Sequence, residues 1–217
     1  VRNPSRMAYS ILFAEGIDAG LQDEGAAETS ARLPEASERK LLQQLICTGT
    51  RTPMTSSAGR LFDAVAAILG LCSAISYEGQ AAIRLQTWAA HGVQGRYPFR
   101  LEQDILDFGP TLRGIVQDVR AGVPSGRIAA MFHNTVADAV VETCADLRDR
   151  HRISHVALSG GVFQNDRLLD LVVGMLLDRG FQVHTHAVVP PNDGGIALGQ
   201  AAVAVAASKN VKWCTQR

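Results

Sequence analysis

Apolar residues recur at the 3.6-residue period of a helix through most of the chain, and short apolar runs join them near the C-terminus. In TSSAGRLFDAVAAILG, Leu61, Val65, Ile68 and Leu69 share one stripe, Thr55 to Ser57 supply a start signal and Gly70 a stop, so an amphipathic helix is expected. YEGQAAIRLQTWAAHG predicts a second helix, with Ile83, Leu85 and Trp88 apolar and Gly92 as its C-terminal punctuation. A short helix is expected over about 38–47 and a strand or strand pair over 99–108. GPTLRGIVQDVRAG and PSGRIAAMFHNTVADAVVETCADLRDRH read as two more helices. The second is unusually long, with Ile128, Met131, Phe132, Val136, Val140 and Val141 on or near one stripe.

The last sixty residues carry the clearest pattern. HVALS predicts a short strand of the buried type closed by Gly160 and Gly161, and RLLDLVVGMLLDRG a helix ended by Gly180. FQVHTHAV alternates as a strand does, and a final helix is expected over about 194–207. This order is a βαβα unit whose two strands should be parallel, which puts the loops after both strands at one carboxyl edge. Between the helices, 16–37 is small, acidic and without apolar period, so a mobile loop is expected there. The organisation that follows is an N-terminal segment, 1–50, continuing a domain begun upstream, and an α/β lobe, 51–217.

Charge and cysteine usage narrow the function classes. Twenty-one basic residues balance 21 acidic ones, which leaves no surplus to neutralise a nucleic acid. Cys47, Cys72, Cys144 and Cys214 lie tens of residues apart without a CxxC pair, so neither a disulfide framework nor a zinc knuckle is indicated and a reducing cytoplasm fits. No apolar run approaches the length of a membrane span; the richest, 61–74, is broken by Asp63. Val1 is followed by nothing ordered like a signal peptide, and the chain reads as beginning inside a longer gene product.

The two carboxyl-edge loops are the candidate chemistry. Ser159, Gly160 and Gly161 with Asn165 join strand to helix, where glycines let an anion approach backbone N–H groups at a helix start. The second loop runs from Pro190 to Gly195, and its Asp193 is either a helix cap or an oxygen ligand for a metal. His184 and His186, two apart on a strand, would share a face and could form half of a metal site, although a polar strand face is the plainer reading. His133 beside Phe132 reads as a hydrogen-bonded packing residue, and Cys72 and Cys144 as inert buried thiols.

The string ALSGGVFQNDRLLDLVVGMLLDRGFQVHTHAVVPPNDGGIALGQA closely resembles the C-terminal end of the hydrogenase maturation carbamoyltransferases of the HypF family. TSSAGRLFDAVAAILG, YEGQAA and the opening VRNPSRMA are similar to further segments of that family, so the resemblance covers nearly the whole chain. It implies a carbamoyltransferase domain like that of the tRNA threonylcarbamoyl transferases, within the actin-like, sugar-kinase and chaperone ATPase superfamily. The βαβα unit would belong to its second lobe.

The resemblance also implies a reaction: carbamoyl adenylate, made from carbamoyl phosphate and ATP in another domain, gives its carbamoyl group to a C-terminal cysteine of the partner HypE. Position by position, Ser159, Gly160, Gly161 and Asn165 would hold the nucleotide of the adenylate, Asp63 with Gly79 and Gln80 would line its ribose and adenine side, and Asp193 would ligate iron or zinc. Two features depart from the family. The HHxAH metal motif and the preceding half of the domain are absent, and Arg84 and Gln86 stand where acids are usual. The rival readings are a kinase-like or ATPase lobe using the same loops, against which TSSxGRLFDAVA and PPNDGGIALGQ argue, and a non-catalytic half-domain that only docks a partner.

Overall fold

The computed structural model describes residues 3–17 and 33–208. In chain order these form α1 (Pro4–Ala14), α2 (Ala36–Thr48), α3 (Ala58–Ile68), α4 (Gln80–Trp88), a hairpin of β1 (Arg100–Glu102) and β2 (Ile105–Asp107), α5 (Gly109–Arg120) and α6 (Ser125–His151). Then come β3 (His155–Ala157), a 3-10 turn (Gly161–Gln164), α7 (Asp166–Asp178), β4 (Gln182–His184), a second 3-10 turn (Asp193–Gly195) and α8 (Ile196–Ser208). The expected loop over 16–37 lies largely outside the described residues, as does Cys214. What is described of that stretch includes the first two residues of α2, which starts at Ala36, two residues earlier than the apolar pattern marks.

Helix α3 lies at the centre. Residues Phe62 to Ile68 are all buried, so the single stripe expected from its sequence becomes burial on every side. Ala64, Ala66 and Ala67 are the reason: their methyl groups let α1 and α4 pack against faces that larger side chains would hold off. Gly70 ends the helix as expected, at φ 71°, with its N–H donating to Ala67 O at 3.0 Å and that of Leu71 to Ala66 O at 2.9 Å. Against α3 stands the long α6, and Phe62 meets Phe132 edge-on at 4.9 Å between centroids.

Helix α4 departs from its pattern. It stops at Trp88, four residues before Gly92, because tertiary bonds take over the chain there. Ala90 N–H donates to Gly126 O at 2.8 Å, and the Arg167 guanidinium donates to Ala90 O at 2.9 Å and Ala89 O at 3.3 Å. Only Leu85 of its three large apolar residues is buried; Ile83 and Trp88 are 49% and 59% exposed. The segment after it is tied down by Tyr97, whose N–H donates to Thr135 Oγ1 at 2.8 Å and whose hydroxyl donates to Asp118 Oδ2 at 2.7 Å.

Strands β3 and β4 pair in parallel with α7 as the crossover, His155 opposite Gln182 and Ala157 opposite His184. The buried-type reading of β3 is corrected. His155 and Ala157 are exposed, since the sheet has two strands here and packs through Val156, Leu158 and Phe181. Helix α8 is apolar all round yet buries none of its described residues, with Ile196, Leu198, Val203 and Val205 each more than half exposed. Among the described residues no helix is long and apolar enough to cross a membrane.

Candidate functional site

The loops after β3 and β4 meet. Gly160 N–H donates to Pro191 O at 2.8 Å, and Gly160 holds φ 103° and ψ 156°, a conformation that a Cβ would strain. Beside this junction opens a cavity of about 890 Å³. Five helical starts line it: Ser57 to Gly59 opening α3, Gly79 opening α4, Gly161 opening the first 3-10 turn, Asn165 opening α7, and Asn192 to Gly194 opening the second 3-10 turn. The first N–H groups of each lack an intrahelical acceptor and carry partial positive charge, so the wall is electropositive in its backbone.

Its side chains have the opposite balance. Arg60 stands against Asp63, Glu78 and Asp193. Arg60 Nη1 lies 2.9 Å from Asp63 Oδ2 but off hydrogen-bond geometry, so that buried oxygen keeps an unused acceptor. Burial pushes the Asp63 carboxyl up against the pull of Arg60. A ligand anion here is therefore met by amides and helix starts, while a hydroxyl donor is met by Asp63.

Each cavity residue singled out from the sequence can be placed. Asp63, Gly79, Gly161, Asn165 and Asp193 line the one cavity. Gln80 turns away: its Oε1 accepts from Ser76 N–H at 2.8 Å and from the Ser76 hydroxyl at 3.3 Å, bracing the turn before α4. Ser159 and Gly160 form the loop junction, Ser159 Oγ lying 2.9 Å from His186 Nε2. Asn165 caps α7, its Oδ1 accepting from Leu168 N–H at 3.0 Å, and its Nδ2 lies 3.0 Å from His133 Nε2.

Asp193 is not the cap. Asn192 takes that role, its Oδ1 accepting from Gly194 N–H at 3.0 Å, which leaves the Asp193 carboxylate exposed at the cavity wall. The shared face expected of His184 and His186 is also corrected, because β4 ends at His184. His184 Nε2 pairs with His155 Nδ1 at 3.2 Å, their rings within 5° of parallel, while His186 pairs with Ser159. Of the two departures in α4, Gln86 lines the cavity and Arg84 donates to Leu71 O at 3.0 Å. Gln164 and Asn192 fall within the two loops singled out from the sequence, whereas Arg60 and Glu78 escaped it; the position of Arg60, one turn before Asp63 on α3, was the available signal. Cys72 is buried and Cys144 half-buried, and burial pushes both thiols up.

Residues 1–200 match the family described as carbamoyltransferase, Kae1-like domain, second subdomain. The chain belongs to this family. It is 41% identical over 184 residues to the carbamoyltransferase HypF of Rhodobacter capsulatus, covering 84% of this chain and 24% of that protein. The HypF of a Synechocystis species is 34% identical over 176 residues, 79% of this chain and 22% of the relative. The crystal structure of full-length HypF in the phosphate- and nucleotide-bound form superposes with a TM-score of 0.85 at 32% identity, over 98% of this chain and 28% of that one. The chain thus spans about a quarter of the length of these relatives. As a Kae1-like second subdomain it is an α/β unit with many helices, in which the parallel β3–β4 pair and α7 carry the loops of the cavity.

Proposed function

We propose that this chain is the nucleotide-holding lobe of a carbamoyltransferase that moves a carbamoyl group from carbamoyl adenylate to a cysteine of a HypE-like partner during hydrogenase maturation. Within that reading it is a second lobe of the actin-like, sugar-kinase and chaperone ATPase superfamily, working with a lobe outside residues 1–217. The observation that carries it is the convergence of five helical starts and the buried Asp63 carboxylate on one cavity. A nucleotide matches both features, its phosphate facing amides and its ribose hydroxyls donating to Asp63. The relative solved with phosphate and nucleotide bound supports the same assignment.

The chemistry is acyl transfer. The partner's thiolate sulfur attacks the carbamoyl carbon, the bond from that carbon to the phosphate oxygen breaks, and AMP leaves with the electron pair on its phosphate. The amides at the starts of the first 3-10 turn and α7 are fixed before reaction and stabilise the charge that grows there. Gly161 keeps the wall bare of a side chain so that the phosphate can approach the amides. Ser159 holds the loop through His186, and Gln80 holds the turn that sets Gly79. The protonated Cys72 and Cys144 thiols are unsuited to attack, consistent with a nucleophile brought by the partner.

Asp193 fits an iron or zinc ion as one carboxylate ligand, free of capping duty and open to the cavity. Among the described residues no group of three His, Cys, Asp or Glu comes together, so the remaining ligands would come from outside them. Such an ion supplies Lewis-acid stabilisation of the leaving phosphate. The test is Asp193→Ala in the full polypeptide carrying residues 1–217, read by mass as carbamoylation of the partner beside a separate assay of adenylate formation. Transfer should be lost with adenylate formation nearly intact. Transfer at the wild-type rate would reject the role of the carboxylate.

A further inference from the structure

His133 is fully buried in the N-terminal half of α6 and belongs to no cavity wall, yet its hydrogen bonds reach one. Its Nδ1 lies 2.7 Å from Ala129 O, and a carbonyl oxygen only accepts, so Nδ1 carries the hydrogen. The lone pair is then on Nε2, and the atom 3.0 Å from it must be a donor, the Asn165 nitrogen. The other end of the same carboxamide gives an independent reading: Leu168 N–H at 3.0 Å requires an oxygen there. A flipped amide would set two acceptors face to face at one end and two donors at the other. Asn165 therefore has one allowed orientation, imposed from behind by His133 and from the side by the start of α7. Phe62 and Phe132 pack edge-on against the imidazole and hold its plane. Burial pushes the His133 pKa down to about 4, helped by the nearby Arg167 charge, which keeps the Nε2 lone pair available at neutral pH.

We propose that His133 is a positioning residue of the nucleotide cavity: it holds the Asn165 carboxamide in the single orientation that leaves the second Nδ2 hydrogen for an acceptor atom of the bound nucleotide. The inference rests on the nucleotide reading above and deepens it. It assigns α6, which contributes no residue to the cavity wall, a role in nucleotide affinity through one hydrogen bond.

The test uses the full polypeptide carrying residues 1–217, with AMP and ATP as probes in calorimetry and thermal melting in parallel. His133→Leu removes the acceptor, and nucleotide affinity should fall about tenfold, the upper end for one neutral hydrogen bond. His133→Gln returns an acceptor oxygen near the place of Nε2 and should stay within about threefold of wild type. In an Asn165→Ala background His133→Leu should cost nothing further, because its effect passes through Asn165; independent, additive losses would overturn the proposal. Wild-type affinity in His133→Leu would overturn it too. If leucine prevents folding, the wild-type tautomer decides: long-range proton–nitrogen spectra should show hydrogen on Nδ1, a bare Nε2, and an Nε2 shift that moves with added AMP. The opposite tautomer, or a shift indifferent to AMP, rejects the inference. Wild-type protein that binds neither AMP nor ATP rejects the nucleotide reading and this inference with it, whereas binding that ignores His133 rejects the inference alone.

Discussion

Acidification should destabilise this chain through one buried imidazole. In the unfolded chain His133 takes up a proton near its ordinary value of 6.5, but in the fold burial pushes that down to about 4. Between those values the unfolded state binds the proton and the native state does not. The sign follows: the contribution is fully present above the unfolded value and is lost as pH falls toward the folded one, with no further change below it. At 1.36 kcal/mol per unit the whole window is worth about 3 kcal/mol, of which about 2 kcal/mol lies between about pH 7 and about pH 5. Asp63 slopes the other way, because burial raises its carboxyl and favours the protonated native form at low pH. Measuring wild type against His133→Gln cancels Asp63 and every other shared group. Urea unfolding of the 217-residue chain at several pH values should show the advantage of wild type over the variant shrinking by about 2 kcal/mol across that interval. A pH-independent difference would refute the reasoning, since it would mean that His133 is as easily protonated folded as unfolded.

Three further outcomes follow from the packing. Gly160→Ala meets no heavy atom within 4 Å but forces a Cβ onto a backbone at φ 103°, so it should cost about 1–3 kcal/mol of loop strain and weaken AMP binding in calorimetry without abolishing folding. Tyr97→Phe removes the hydroxyl donated to Asp118 at 2.7 Å and should lower unfolding free energy by about 1.5–3 kcal/mol, measured in urea, as for bonds to charged groups. Phe132→Ala opens a void against Phe62 in the fully buried core and should cost about 3–5 kcal/mol in the same measurement.

What could be read from the sequence was what has local causes. The glycine stop of α3, the length of α6 and the βαβ crossover follow from local spacing and chain order, and the structure carries them, whereas the single stripe of α3 became burial on every side. Parallel pairing then brings the Gly160 and Pro191 loops into direct contact, a juxtaposition implied by topology alone. Features with distant causes were not legible. Helix α4 ends where Arg167, nearly eighty residues later, captures Ala89 and Ala90, and no residue near Gly92 announces that. The starts of α3 and α4 reach the same cavity because small alanines bring those helices together, which periodicity does not encode. The cap reading considered for Asp193 belongs to its neighbour Asn192, which the bond from Gly194 N–H identifies. His184 likewise found a partner across the strands in His155, where spacing along one strand suggested His186.

The most direct measurement is a crystal structure of the full polypeptide carrying residues 1–217, grown with ATP or AMP at saturation. The nucleotide should lie in the cavity between α3 and α7, its ribose hydroxyls on Asp63, its phosphate on the amides around Gly161, and an acceptor atom on Asn165 Nδ2. A nucleotide bound elsewhere, with this cavity filled by other side chains of the polypeptide, would contradict that placement.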